Sequence, residues 1–158
     1  MRKTSIPSEK EAFQKVAALC SQRECCVSQI LEKLQAWGVD METAERIVER
    51  LQEERFIDES RFCRAYALDK LRYNHWGRVK IDQMLRMMGL PAADRRAALD
   101  ELPVDEYRDV ALRLIQSKFS TIRSASDYEK KGKLVRYMVG KGFETSLVFQ
   151  LLDFSPED

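Results

Sequence analysis

FIDESRFCRAYALDKLRYNHWGRVKIDQMLRMMGL, residues 56–90, is the stretch whose reading decides the fold. Apolar residues recur at helical spacing in Phe62, Ala65, Tyr66 and Tyr73, and a polar corner with one glycine, Asn74-His75-Trp76-Gly77, interrupts them. A second stripe follows in Ile81, Leu85 and Met88. This pattern predicts two helices joined by a tight corner. Between residues 61 and 88 the same stretch carries Arg61, Arg64, Lys70, Arg72, Arg78, Lys80 and Arg86 against Asp69 and Asp82, an excess of seven minus two, or +5. A cationic helical pair therefore stands in the middle of the chain.

Working outward, each flank repeats the theme. On the N-terminal side Ser8-Glu9-Lys10-Glu11 fits a capping box and opens a helix through Phe13, Val16, Ala17 and Cys20. A second helix carries Ile30, Leu31, Leu34 and Trp37 and stops at Gly38, while Asp40 caps a third with Ala44, Ile47, Val48 and Leu51 on its buried side. Asp58 or Ser60 then caps the fourth. On the C-terminal side the fifth helix stops at Gly89, and Pro91 opens a short sixth that Pro103 ends. Tyr107, Val110, Ala111, Leu114 and Ile115 mark a seventh helix. A Ser/Thr-rich loop over 120–126 and a capping box at Ser126 lead into an eighth, closed by Gly140 or Gly142, and Glu144–Leu152 is the last.

Laid over one another, these pieces expose a repeat. Ile30, Leu34, Gly38 and Val39 match Ile81, Leu85, Gly89 and Leu90, and these match Leu134, Met138, Gly142 and Phe143. The glycines are 51 and 53 residues apart (89 − 38 and 142 − 89). An all-α chain of three tandem three-helix units is predicted, over residues 8–57, 58–103 and 104–153, forming an elongated, curved body that presents surface rather than enclosing a pocket.

Composition narrows the function. A chain of 158 residues with 44% hydrophobic and 34% charged residues is globular, and its net charge of +1 makes it no polycation overall. The charge is unevenly placed: residues 108–141 hold nine basic groups against Asp109, Asp127 and Glu129, an excess of +6. Residues 1–58 are net acidic, nine basic against eleven acidic groups. No apolar run is long enough to span a bilayer and MRKTSIPSEK has no hydrophobic segment after its basic start, so a cytoplasmic protein without signal peptide or membrane anchor is expected. Cys20, Cys25, Cys26 and Cys63 lack metal-ligand spacing and are expected as reduced, mostly buried thiols. His75 is the lone histidine, and no nucleophile elbow or phosphate-binding glycine loop appears. Glu49, Glu53 and Glu54 read as a solvated face. No catalytic, cofactor or metal site is expected.

The positive signal is basic. Lys70, Arg72, Arg78 and Lys80 flank the corner, with Arg86 farther along, and Lys130, Lys131, Lys133, Arg136 and Lys141 cluster on the matching helix of the third unit. Such density neutralises phosphates through counterion release and binds nucleic acid without sequence preference. A solvated face with no ligand accounts for either cluster alone; recurrence at equivalent positions favours a ligand. Trp76 either packs across the corner or stands out as a contact for a base or partner, and His75 beside it is a capping or surface histidine or a further contact.

The string RFCRAYALDKLRYNHWGRVKIDQMLRMMGL, with the earlier CSQRECCVSQILEKLQAWGV and the later YEKKGKLVRYMVGKGF, resembles the RecX family of bacterial regulatory proteins over about residues 12–152. Its most specific parts are Phe56-Ile57-Asp58-Glu59-Ser60-Arg61-Phe62 and the spacing Trp76-Gly77, Ile81, Leu85, Gly89. The resemblance implies a non-enzymatic modulator, usually an inhibitor, of the RecA recombinase, and a monomer is expected. Such a protein lies along or caps the RecA filament on single-stranded DNA, limiting recombination, ATP hydrolysis and co-protease activity in the SOS response. Double-stranded DNA is a non-specific partner on the same reading. Members often carry Ser or Thr where the second helix begins; here Cys26 stands there and caps poorly, which with the acidic first unit places the contacts in units two and three. Two other classes stay open: a sequence-specific helix-turn-helix regulator, which the corner could mimic, and a purely structural helical adaptor.

Overall fold

The computed structural model describes residues 5–123 and 126–153, and all regular structure among them is helical. The helices are α1 (Glu9–Gln22), α2 (Val27–Ala36), α3 (Met41–Glu53), α4 (Glu59–Asp69), α5 (Arg78–Met87), α6 (Ala92–Asp100), α7 (Val104–Phe119), α8 (Asp127–Gly140) and α9 (Thr145–Leu152), with a π-helical turn over Lys70–Asn74 extending α4. Residues 124 and 125 of the expected Ser/Thr-rich loop lie outside the described residues. Side-chain oxygens of Ser8, Asp40, Asp58 and Ser126 accept the amides of Glu11, Thr43, Arg61 and Glu129, so four of the helices start where a capping residue was expected.

The repeat is visible in the backbone as well as in the side chains. Gly38, Gly89 and Gly142 have φ of +85°, +82° and +97°. In each case the residue after the glycine donates its amide back across the turn, Val39 to Leu34, Leu90 to Leu85 and Phe143 to Met138, at 3.0–3.1 Å. This is the six-to-one bond of a helix closed by a left-handed residue. The apolar members of the repeat are all buried, and Ile30, Leu34, Ile81, Leu85, Leu134 and Met138 are wholly inaccessible. Each contributes about 1.5–3 kcal/mol of apolar transfer, so the pattern persists because it supplies three helix ends and the centre of the packing together.

Burial divides the chain unequally. One core holds Phe13, Val16, Cys25, Ile30, Leu34, Ile47 and Leu51 from α1–α3. A larger one holds Phe62, Leu71, Ile81, Leu85, Ala98, Tyr107, Leu134, Met138 and Val148, running without a break from α4 to α9. Cys26 belongs to this second core although Cys25 belongs to the first, so adjacent thiols tie α1–α3 to the rest. The Arg61 Nε–Glu24 Oε1 pair at 2.6 Å closes the same joint. All four cysteines are free, and burial pushes the Cys20 and Cys63 thiols up to about 12 and about 11. At the start of α2, Gln29 Oε1 accepts the Cys26 amide at 3.2 Å, an arrangement that compensates the weak thiol cap.

One expectation for residues 56–90 needs correction. The buried face of α4 is Phe62, Cys63, Ala67 and Leu71; Ala65 is exposed and Tyr73 is 77% exposed. Ala65 sits about 160° round the helix from Cys63 at 100° a residue, on the solvent side. The corner is tight, as expected, and its left-handed residue is not the glycine. His75 takes the left-handed conformation, φ +57°, and its amide and that of Trp76 both return to the Lys70 carbonyl.

Gly77 has an ordinary φ of −81°, and its lack of a side chain serves a different need. A Cβ there would lie 2.3 Å from the Gly142 oxygen and 2.4 Å from the Phe143 nitrogen. The backbones of α5 and of the turn after α8 touch here: Gly77 donates to the Lys141 carbonyl and Val79 to that of Gly142, each at 2.9 Å.

Gly77→Ala is therefore expected to destabilise by about 3 kcal/mol or more, the upper end of overpacking, because the contact is with backbone, and Gly89→Ala, where a Cβ meets open space but φ is +82°, by only about 1–2 kcal/mol. Urea unfolding of the two variants checks the order. Equal losses would show that the backbone contact is dispensable.

Candidate nucleic-acid interface

The corner places Trp76 half-buried against the larger core, with two lysines over its ring: Lys70 Nζ lies 5.2 Å and Lys80 Nζ 4.7 Å from the centroid. Lys70 also covers Tyr66 at 5.2 Å. The indole thus packs across the corner, as one of its two sequence readings had it, with both ammonium groups on its ring. Lys141 Nζ reaches the Asn74 carbonyl at 3.1 Å, bringing the end of α8 to the same corner.

From that corner a stripe runs back along α8. Lys130, Lys133, Tyr137 and Lys141 are spaced i, i+3, i+7 and i+11, which keeps them within about 80° of one another over about 16 Å of helix. The end of α7 joins in. Lys118 Nζ sits 4.8 Å from the centre of the Tyr137 ring, and Lys130 Nζ sits 5.0 Å from that of Phe119, which is 44% exposed. Amines alternating with aromatic faces suit a single strand, whose phosphates need cations and whose bases stack on any π-face.

Arginine and lysine are used differently. Among the described residues arginine pairs with carboxylates at Arg46 with Glu9 and Glu42, Arg50 with Glu54, Arg61 with Glu24, Arg64 with Glu101, Arg72 with Glu106, Arg78 with Glu144 and Arg95 with Asp82. Lys70, Lys80, Lys118, Lys130, Lys133 and Lys141 have no carboxylate partner among the described residues. A guanidinium holds a carboxylate with a fixed fork and loses little freedom doing so, whereas an ammonium on a flexible stem stays hydrated and available. The stripe is thus a row of ammonium groups that no carboxylate among the described residues neutralises.

The remaining sequence candidates lie elsewhere. Arg78 is committed to the junction of the second and third units. Its Nη1 donates to Glu144 Oε2 at 3.1 Å, its Nε to the Leu99 carbonyl at 3.1 Å, and its guanidinium stacks 3.9 Å from the centre of the Tyr107 ring. Tyr107 accepts the Arg78 amide and donates to Glu144, and burial together with that carboxylate holds its hydroxyl above the ordinary value. Arg72 is paired with Glu106 at 2.9 Å on the α7 side of the corner, where His75 is exposed. Arg86 and Arg136 are exposed off the stripe, and Lys131 lies about 100° round α8 from Lys130. Lys118, Phe119 and Tyr137 were missed by sequence reasoning. Lys118-Phe119 closes the α7 stripe and reads as its last turn, and only the folding of α8 back onto α7 brings these residues to Lys130.

Two sequence models of one family match the chain: the RecX third three-helix domain over residues 105–152 and the RecX second three-helix domain over residues 58–99. A regulatory protein RecX from Oceanobacillus iheyensis is 25% identical over 156 residues, covering 94% of this chain and 57% of that protein. The chain thus spans little more than half the length of that relative. One from Stenotrophomonas maltophilia is 26% identical over 96% of this chain and 91% of its own length. A crystal structure of regulatory protein RecX superposes with a TM-score of 0.82 over 92% of this chain and 71% of the other at 22% identity, a likeness of fold.

The raised Tyr107 hydroxyl implies a pH dependence with a defined sign. Unfolding lets Tyr107 ionise at its ordinary value of 10.0 while the folded state keeps the proton, so its contribution is complete below that value and is lost as pH rises above it. Stability measured by urea unfolding should fall more steeply above pH 10.0 in the wild-type chain than in Tyr107→Phe. Parallel profiles would show that Tyr107 holds no such proton.

Proposed function

The chain belongs to the RecX family, and we propose that it binds the RecA filament on single-stranded DNA and inhibits RecA's recombinase, ATPase and co-protease activities. It acts as a monomer in the cytoplasm and catalyses no reaction itself. The observation that carries this reading is the stripe of lysines without carboxylate partners, set between the rings of Trp76, Tyr137 and Phe119. Lys70, Trp76, Lys80, Lys130, Lys133 and Lys141 are the contacts we assign to DNA, with Lys118 and Phe119 added from the fold. Their affinity is electrostatic and sequence-tolerant, so it extends non-specifically to duplex DNA.

We divide the chain into units over 8–57, 58–103 and 104–153, with the contacts in the second and third. A filament offers the same surface many times over, and modest contacts from successive units add through effective concentration. Among the described residues no helix is long and apolar enough to cross a membrane, in keeping with a partner on DNA. The helix-turn-helix alternative fits less well. A recognition helix leads with its N-terminus, and here the first amides of α5 are bonded to the turn after α8.

RecA ATPase on single-stranded DNA, titrated with the protein below stoichiometric ratio, is the deciding assay. The wild-type chain should inhibit. Lys130→Glu with Lys133→Glu should weaken inhibition about tenfold or more, and Glu49→Lys with Glu53→Lys should change it less than about twofold; each neutralised phosphate contact removes about 0.7 from the salt slope of single-strand binding. Equal effects of the two double variants would remove the stripe from the interface, and no inhibition by the wild-type chain would overturn the proposal itself.

A further inference from the structure

Lys70 stands where α4 passes into the π-helical turn, and both its ends are tied to the corner. Its carbonyl accepts the amides of His75 and Trp76, the latter at 3.1 Å. Its ammonium lies 5.2 Å from the centre of the Trp76 ring and 5.2 Å from that of Tyr66. In an unbroken α-helix Trp76 would stand about 120° round from Lys70 and about 9 Å along the axis. The π-helical turn and the left-handed His75 fold it back, so irregular backbone of a kind often found at functional sites brings the second ring to the ammonium.

Tyr66 supplies the other wall. It precedes Lys70 by four residues, the spacing at which side chains meet on one helix face, and it is half-buried. Its ring stacks on that of buried Phe62, with centroids 5.8 Å apart and planes 25° apart, which fixes the face turned to Lys70. Burial also holds the Tyr66 hydroxyl above its ordinary value, so the ring stays neutral and meets the ammonium through its π-face. Asp69, next in sequence, lies about 100° round the helix from Lys70. Two rings, and no carboxylate among the described residues, therefore hold this charge.

A free lysine stem must be ordered when it meets a phosphate, and that ordering subtracts from affinity. A stem already held between two rings has given up much of that freedom before a strand arrives. We propose that Tyr66 is a positioning residue of the DNA surface: with Trp76 it fixes the Lys70 ammonium at the corner, where a phosphate of the single strand meets it, and Tyr66 itself touches no part of the strand. The inference rests on the lysine stripe being the DNA surface, and it adds to that surface a residue that acts only through Lys70.

The test is a double-mutant cycle on the full chain, read as affinity for a single-stranded oligonucleotide at several salt concentrations. Tyr66→Leu should weaken binding about three- to tenfold, the effect of leaving one long side chain to be ordered on binding. It should leave the salt slope unchanged, because Lys70 still neutralises its phosphate. Tyr66→Phe keeps the ring face and should bind as the wild-type chain does. Lys70→Gln should lower the slope by about 0.7, and adding Tyr66→Leu to it should cost less than about twofold more. Full additivity in the double variant, which is what general damage to the core gives, would overturn the proposal. So would Tyr66→Phe binding as weakly as Tyr66→Leu, or Tyr66→Leu binding as the wild-type chain does. A wild-type chain that does not bind the oligonucleotide removes the DNA surface and this proposal together. One that binds it without inhibiting the RecA ATPase loses the filament reading alone, and the cycle still decides Tyr66.

Discussion

The start of α5 is bonded to the end of α8, and most of what distinguishes this molecule depends on that contact. A helix begins with amides that have no internal acceptor and ends with carbonyls that have no internal donor, and the two ends carry opposite partial charges. Here one end satisfies the other: Gly77 and Val79 donate to Lys141 and Gly142. The approach is close enough that a side chain on either glycine would collide, Gly77 with the Gly142 carbonyl and Gly142 with Lys80. Because backbone meets backbone, the second and third units cannot tilt freely against each other. They share one buried core.

The same contact builds the charged surface. It sets Lys80 beside the turn that carries Lys141, and the Lys141 ammonium bonds back to Asn74, so the corner and α8 form one stripe instead of two patches. Arg78, next to Gly77 in sequence, turns inward to Glu144 and the Tyr107 ring and locks the junction. Neighbouring cations thus do opposite jobs. The guanidinium is held inside a network because its planar fork satisfies several acceptors at fixed angles, and the lysines keep their charge toward solvent.

The first three helices stand apart from this arrangement. They keep a core of their own and meet the rest through Cys26, the Glu24–Arg61 pair and the chain at Asp58. Their ion pairs, among them Arg46–Glu9 and Arg50–Glu54, consume arginine charge on a surface that is already acidic. Among the described residues a single lysine, Lys15, lies over an aromatic ring there, that of Trp37 at 5.5 Å.

The sequence by itself determined the helices, their caps and the repeat, because these rest on contacts within a turn or two: Ser8, Asp40, Asp58 and Ser126 cap where they stand, and the repeated apolar pairs before Gly38, Gly89 and Gly142 are buried. Sequence also located the excess of basic residues. Only the tertiary structure decided which of them remain available, since Arg78 meets Glu144 and Arg72 meets Glu106 across separations of 66 and 34 residues that no helical period encodes. The same limit hid Lys118 and Phe119, which reach α8 only through the folded α7–α8 pair. It also hid the reason for Gly77, whose φ is ordinary and whose need for hydrogen in place of a side chain comes entirely from a backbone 65 residues away. Short-range hydrogen bonding and burial are written locally, but charge pairing and close backbone approach are properties of two distant segments brought together.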